Sequence, residues 1–152
     1  MLASAAVAEQ TTGSVRIHAT PGAVMAVIAD LAAYPAWTEG IRSVEVLATD
    51  ASGRPERAAF RVGMAGIEAA YTLLYAYEPD DAAVSWTTDS AAGAVADVRG
   101  EYRLRAEAGE TAVTYSLRVE PAIPLPGYLK RHVERTIVDA ALEGLKRRVE
   151  GP

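Results

Sequence analysis

The chain has 152 residues and a formal net charge of −5, with 50% apolar and 23% charged residues. That length and apolar content suit one domain with a full core, and the acidic balance speaks against non-specific nucleic-acid binding, which needs a basic footprint. No apolar run approaches the ~20 residues of a membrane span, and the lack of cysteine removes disulfides, thiolate nucleophiles and thiolate metal ligands.

Residues 1–10 read as a loose tail ahead of a single domain over residues 11–150. Met1 to Ala8 is small and apolar, and Ala6-Val7-Ala8 resembles a cleavage site. The stretch is too short and has no basic region before it, so the expectation is no signal peptide and a cytoplasmic protein. Thr12 to His18 alternates in polarity, as a strand does. Thr20-Pro21 is a helix start, with Thr as N-cap and Pro in the first turn. Val24, Ile28 and Leu31 follow at helical spacing, and Tyr34-Pro35 breaks the helix. Pro35-Ala36-Trp37 continues as a turn or a second brief helix, closed by Gly40.

From Ile41 the period changes to two. Strands are predicted over Ile41–Ala48, Arg57–Met64, Ile67–Glu78, Ala83–Thr88, Ala94–Ala106 and Thr111–Glu120. Turns fall at Asp50–Pro55, Gly66, Pro79–Asp81, Ser90–Gly93 and Gly109-Glu110. Tyr71, Leu73, Tyr75 and Tyr77 share one face of their strand. Val98, Gly100, Tyr102 and Leu104 share another, as do Val113, Tyr115, Leu117 and Val119. Asp97, Arg99, Glu101, Arg103 and Arg105 take the opposite phase, a solvated outer face.

Pro121, Pro124 and Pro126 form a connector, because proline lacks an N–H and biases its predecessor toward extended geometry. Beyond it Leu129, Val133, Ile137, Ala141 and Leu145 recur every fourth position, which predicts an amphipathic helix over Leu125–Val149. Thr136, Ala140 and Gly144 flank that row. Such small residues fit either a space beneath the helix or a close helix–sheet contact.

The predicted order is strand, two short helices, six strands, one long helix. Six consecutive strands on short turns form an antiparallel meander. A sheet with one apolar face needs a cover, and the last helix is the one element long enough to supply it. The expected architecture is α+β: seven antiparallel strands wrapped around a long C-terminal helix. Trp37, Tyr71, Tyr75, Trp86, Tyr102 and Tyr115 are predicted to point inward. With Leu129, Val133 and Ile137 as the roof, they would line a cavity of roughly 300–1,000 Å³. Tyrosine is a poor pure core filler, because its hydroxyl requires a partner.

The order of elements resembles the helix-grip fold of the START and Bet v 1-like superfamily. Local patterns are similar to its bacterial polyketide cyclase/dehydratase and lipid-transport branch. These are Tyr34-Pro35-Ala36-Trp37, Tyr71-x-Leu-x-Tyr-x-Tyr-x-Pro79, the strand bearing Trp86, Gly100-Glu-Tyr102-Arg-Leu104 and Pro124-Leu125-Pro126. The resemblance runs from about Val15 to Val149. It implies a ligand between sheet and helix, with family members that include aromatic polyketide cyclases, ubiquinone-binding proteins and lipid carriers.

Metal chemistry is not expected: His18 and His132 are the only histidines, and neither has a ligand at helical spacing. No nucleophile elbow supports a Ser-His-Asp site, and Gly63 to Gly66 lacks the features of a phosphate loop. The expectation is a cofactor-free protein, a monomer or homodimer, that binds an apolar or aromatic molecule such as a polyketide, lipid or quinone. The loops around Pro35–Trp37 and Pro124–Gly127 would form the mouth. The alternative is a metal-independent cyclase, aromatase or dehydratase acting on a poly-β-ketone chain. There Tyr hydroxyls or an Arg would polarise carbonyls. An interaction role like that of ribosome-binding family members fits the acidic balance least. No catalytic residue is assigned. Arg61 and His132 are left open, as lying on either the cavity or the solvent side.

Overall fold

The period-two stretches become strands β1 (Thr11–Ile17), β2 (Ile41–Thr49), β3 (Pro55–Met64), β4 (Ile67–Tyr77), β5 (Ala83–Gly93), β6 (Val95–Glu107) and β7 (Glu110–Pro121). The helical stretches become α1 (Pro21–Ala29), the single turn α2 (Tyr34–Trp37) and the long α3 (Gly127–Glu150). This computed structural model describes residues 10–64 and 67–151, so residues 1–9 of the expected tail and the turn at Gly66 lie outside the described residues.

All seven strands form one antiparallel sheet in the order β1-β7-β6-β5-β4-β3-β2. Strands β2 to β7 are the expected meander, and β1 closes on β7. Thr20 caps α1 as its sequence predicts, with its hydroxyl accepting the Ala23 N–H at 3.2 Å. Val24, Met25 and Ile28 of α1 are buried against Ile17, Leu31, Val113 and the long helix.

Strand β5 runs further than expected, because Ser90 to Gly93 is not a turn. Ser90 pairs with Thr72 and Gly93 with Ala69, while Thr88 pairs with Leu73. Asp89 is thus an extra residue, a bulge that keeps both halves of β5 in register with the long β4. The turn itself is Gly93-Ala94, with Gly93 at φ 80°. Beyond Trp86 the β5–β6 ladder ends. There the Thr88 hydroxyl accepts the Val98 N–H at 2.7 Å and donates to the Val98 carbonyl at 2.8 Å, standing in for a backbone rung.

Helix α3, ~36 Å long at 1.5 Å per residue, lies on β1 and β7. Its buried residues are Glu134, Val138, Leu142 and Leu145. The expected row is therefore displaced: Leu129 and Val133 are 37% and 40% exposed, and Ile137 and Ala141 are half-buried. Gly13 on β1 makes room for this seating. A Cβ there would sit 2.7 Å from Val138 Cγ1 and 3.1 Å from Leu142 Cδ1. The bare backbone of Gly13 thus seats the helix on its Val138–Leu142 face.

The small residues of α3 do not mark an empty space. The helix packs over Trp37 at Gly144, where a Cβ would lie 3.3 Å from the Trp37 ring. Ala140 is exposed. A buried carboxylate completes the contact: Glu134 accepts the Thr11 hydroxyl at 2.8 Å, the Val119 N–H at 2.7 Å and the Lys130 ammonium at 2.9 Å. One side chain thereby ties α3 to both β1 and β7.

Candidate functional site

Strand register places the aromatic residues on the concave face. Tyr77, Val84, Tyr102, Tyr115 and Gly13 form one row across five strands, and Tyr75, Trp86, Gly100 and Leu117 form the next. Trp86 is the hub. Its ring centroid lies 5.7 Å from Tyr75, 5.6 Å from Tyr102 and 5.8 Å from Tyr115. Tyr102 and Tyr115 stack at 4.4 Å. Tyr71 stacks on Phe60 at 5.5 Å. Tyr34 meets Trp37 edge-on at 5.2 Å, extending the aromatic surface to α2.

Six phenols share this region, and they divide by hydrogen bonding. Tyr34 donates to the Ile28 carbonyl and Tyr77 to the Pro55 carbonyl at 2.7 Å. Tyr71, Tyr75, Tyr102 and Tyr115 have no hydroxyl partner among the described residues. Nor do they count among the orphaned, sealed polar atoms, which include Trp37 Nε1 and Thr38 Oγ1. Each of the four hydroxyls thus keeps some open surface, even where the residue is buried, as Tyr102 and Tyr115 are at 6% exposure.

Burial pushes the Tyr71 phenol up to about 12. It raises Tyr75, Tyr102 and Tyr115 well above the usual phenol range, and mutual repulsion among the tyrosines adds to it. All four therefore stay protonated near neutral pH and act as donors. From Ala58 to Val62, Ala69 to Tyr77, Val84 to Thr88, Val98 to Leu104 and Val113 to Val119, every residue in the tyrosines' phase is uncharged. These stretches of the face offer aromatic surface and protonated hydroxyls, with no fixed charge among their described residues.

Other sequence-predicted residues fall elsewhere. Trp37 lies beneath α3, packed on Gly144. Ile137 borders the core, whereas Leu129 and Val133 sit at the exposed end of the helix beside Ile123, Leu125 and Tyr128, which are 67%, 39% and 71% exposed. This apolar rim flanks the Pro124–Gly127 connector. Arg61 points to the convex side, opposite Phe60 and Val62. His132 is exposed, and His18 lies 3.8 Å from Glu110 at the surface. Tyr34 belongs to the cluster although it was not among the expected lining residues. Its position before Pro35 masks it as a helix terminator. Two hollows lie off this face, one of about 410 Å³ on the convex side and one of about 330 Å³ between Gly13–Val15 and α3, and neither is the cavity expected between the aromatic cluster and Leu129, Val133 and Ile137.

A sequence model described as "Polyketide cyclase / dehydrase and lipid transport" matches residues 8–150. No curated protein matches the chain. Among solved structures, a START superfamily protein from Mycobacterium smegmatis superposes with a TM-score of 0.85 at 19% identity, covering 93% of this chain and 97% of that one. The Zhui aromatase/cyclase from Streptomyces sp. R1128 gives 0.72 at 18% identity, covering 93% of each chain. A STAR-related lipid transfer protein from Xanthomonas axonopodis gives 0.71 at 17% identity, covering 93% and 86%. At these identities the likeness speaks to fold, and it agrees with the sheet order and helix placement above. With the sequence match spanning nearly its whole length, the chain belongs to the polyketide cyclase/dehydrase and lipid-transport family.

Proposed function

We propose that the concave face binds an apolar or aromatic small molecule carrying oxygen acceptors, held between the sheet and α3. The observation that carries this reading is the set of four phenols, Tyr71, Tyr75, Tyr102 and Tyr115, that have no hydroxyl partner among the described residues and share an uncharged, aromatic-rich stretch of the sheet. Sealing a polar group without a partner costs about 1–3 kcal/mol, and these four hydroxyls instead keep open surface where an acceptor can reach them. A ligand with carbonyl or quinone oxygens would supply the acceptors, and apolar burial would supply affinity at about 25 cal/mol per Å² before ordering costs.

Entry would pass the exposed rim at Ile123, Leu125, Tyr128, Leu129 and Val133. Among the described residues the lining strands carry no cation in the tyrosines' phase, and Arg54 over the Tyr77 ring is paired with Asp81, so an anionic head group would be desolvated without a free counter-charge. The same donors suit polyketide cyclisation as polarisers of carbonyl oxygens. The binding reading needs only access to these phenols, whereas turnover also needs a base. Native mass spectrometry of protein purified from its own host tests the proposal. A co-purifying neutral, oxygen-bearing apolar mass supports it. A bound fatty acid or phospholipid would overturn the assignment of ligand class.

A further inference from the structure

The outer face of the sheet carries a second surface that ligand binding does not use. The ladders place Ser43, Arg61, Ala70 and Ala92 in one row across β2 to β5, and Glu45, Ala59, Thr72 and Ser90 in the next. The short side chains leave the hollow of about 410 Å³. Out of it rise two exposed charges of opposite sign, Arg61 and Glu45. Neither has an ion pair or hydrogen bond among the described residues. The other arginines of the outer face are engaged: Arg57 with Asp89, Arg99 with Asp97, Arg103 with Glu78 and Glu101, and Arg105 with Glu107. Beside the hollow Leu47 and Leu74 are each 41% exposed, and Leu74 occupies the next rung between Arg57 and Thr87.

We propose that this convex face is a self-association surface, on which a second copy of the chain docks about a two-fold axis. A two-fold interface must be self-complementary: if residue i meets residue j, then j meets i. Arg61 of one protomer facing Glu45 of its partner, and the reverse, satisfies that rule. The small-residue floor lets the two sheets approach, and the leucines add apolar area at the margin. The charge pattern selects a second copy over a different partner. The whole chain carries −5 and repels its like, whereas this patch holds one charge of each sign and is locally neutral. Four strands ~4.8 Å apart span only about 14 Å, so the interface lies at the low end of specific contacts. It is therefore concentration-dependent and weakened by salt.

Sedimentation equilibrium of the wild type, Arg61→Glu, Glu45→Arg and the double swap tests this. Both substituted positions are exposed, and circular dichroism checks that each variant is folded. The expected result is a salt-sensitive dimer. Each single reversal weakens it by about tenfold or more, and the double swap restores it to within about threefold of wild type. A wild type that stays monomeric at about 100 µM in low salt overturns the proposal. So does a dimer indifferent to both single reversals, or a folded double swap that stays monomeric. Because the face lies opposite the tyrosines, these variants leave ligand binding unchanged, which separates this proposal from the binding reading.

Discussion

The indole of Trp86 lies against the bare Cα of Gly100 across the β5–β6 ladder: a Cβ at Gly100 would sit 2.4 Å from Trp86 Cζ2 and 2.7 Å from Cε2. Glycine weakens a strand interior, and here it makes room for the hub of the aromatic floor. Gly100→Val should force Trp86 off its seat and cost about 1–3 kcal/mol as an overpacked core site. Near-UV circular dichroism should lose its Trp86 signal while far-UV signal remains. An unchanged aromatic spectrum would mean that the indole does not depend on that glycine.

Glu134 is fully buried and holds Thr11, Val119 and Lys130 together. Removing one partner of a buried charge pair leaves the others unsatisfied. Lys130 keeps some solvent contact at 18% side-chain exposure. Glu134→Ala should therefore cost about 2–4 kcal/mol, somewhat under the 3–5 of sealed pairs. Glu134→Gln keeps acceptor capacity for Thr11 or Val119 and should cost less. Urea midpoints read both. Equal loss in the two variants would show that the carboxylate's charge, not its volume or its neutral acceptor capacity, is what Glu134 supplies.

The strands, the N-cap at Thr20 and the helix after Pro126 were legible because each rests on local chemistry: period, capping and proline geometry. The inward phase of Tyr71, Tyr75, Trp86, Tyr102 and Tyr115 followed from the same alternation. The seating of α3 was not legible, since it depends on Gly13, over a hundred residues away. Glu134 was hidden too, because a carboxylate inside an apolar row reads as solvent-facing. Gly144 is ambiguous in the sequence, because the Trp37 ring it packs on lies far away along the chain. Continuation of β5 through Ser90–Gly93 was missed because turn-type residues there are recruited by pairing with β4.

Alkaline stability should report the buried phenols. Their folded pKa values lie above the unfolded value near 10, with Tyr71 at about 12. The native state thus holds protons that the unfolded state has released. Stability from this source is fully present below pH 10 and is lost as pH rises through the folded values. The loss approaches about 1.4 kcal/mol per pH unit for each such tyrosine. Urea midpoints at pH 8 to 11 should fall steeply only above about 10. A flat profile across that window would indicate phenols that ionise freely in the folded protein.

The most direct measurement is calorimetric titration of a matched pair: a neutral naphthoquinone, and naphthalene as its oxygen-free counterpart. It would be run against wild type, Tyr71→Phe and Tyr75→Phe. Each phenol that donates to a ligand oxygen contributes about 0.5–1.5 kcal/mol. Wild type should therefore prefer the quinone, and each substitution should cut that preference by about two- to tenfold, with naphthalene affinity and fold unaltered. Equal affinity for both probes, unchanged by either substitution, would contradict a site in which the four open phenols hold the ligand.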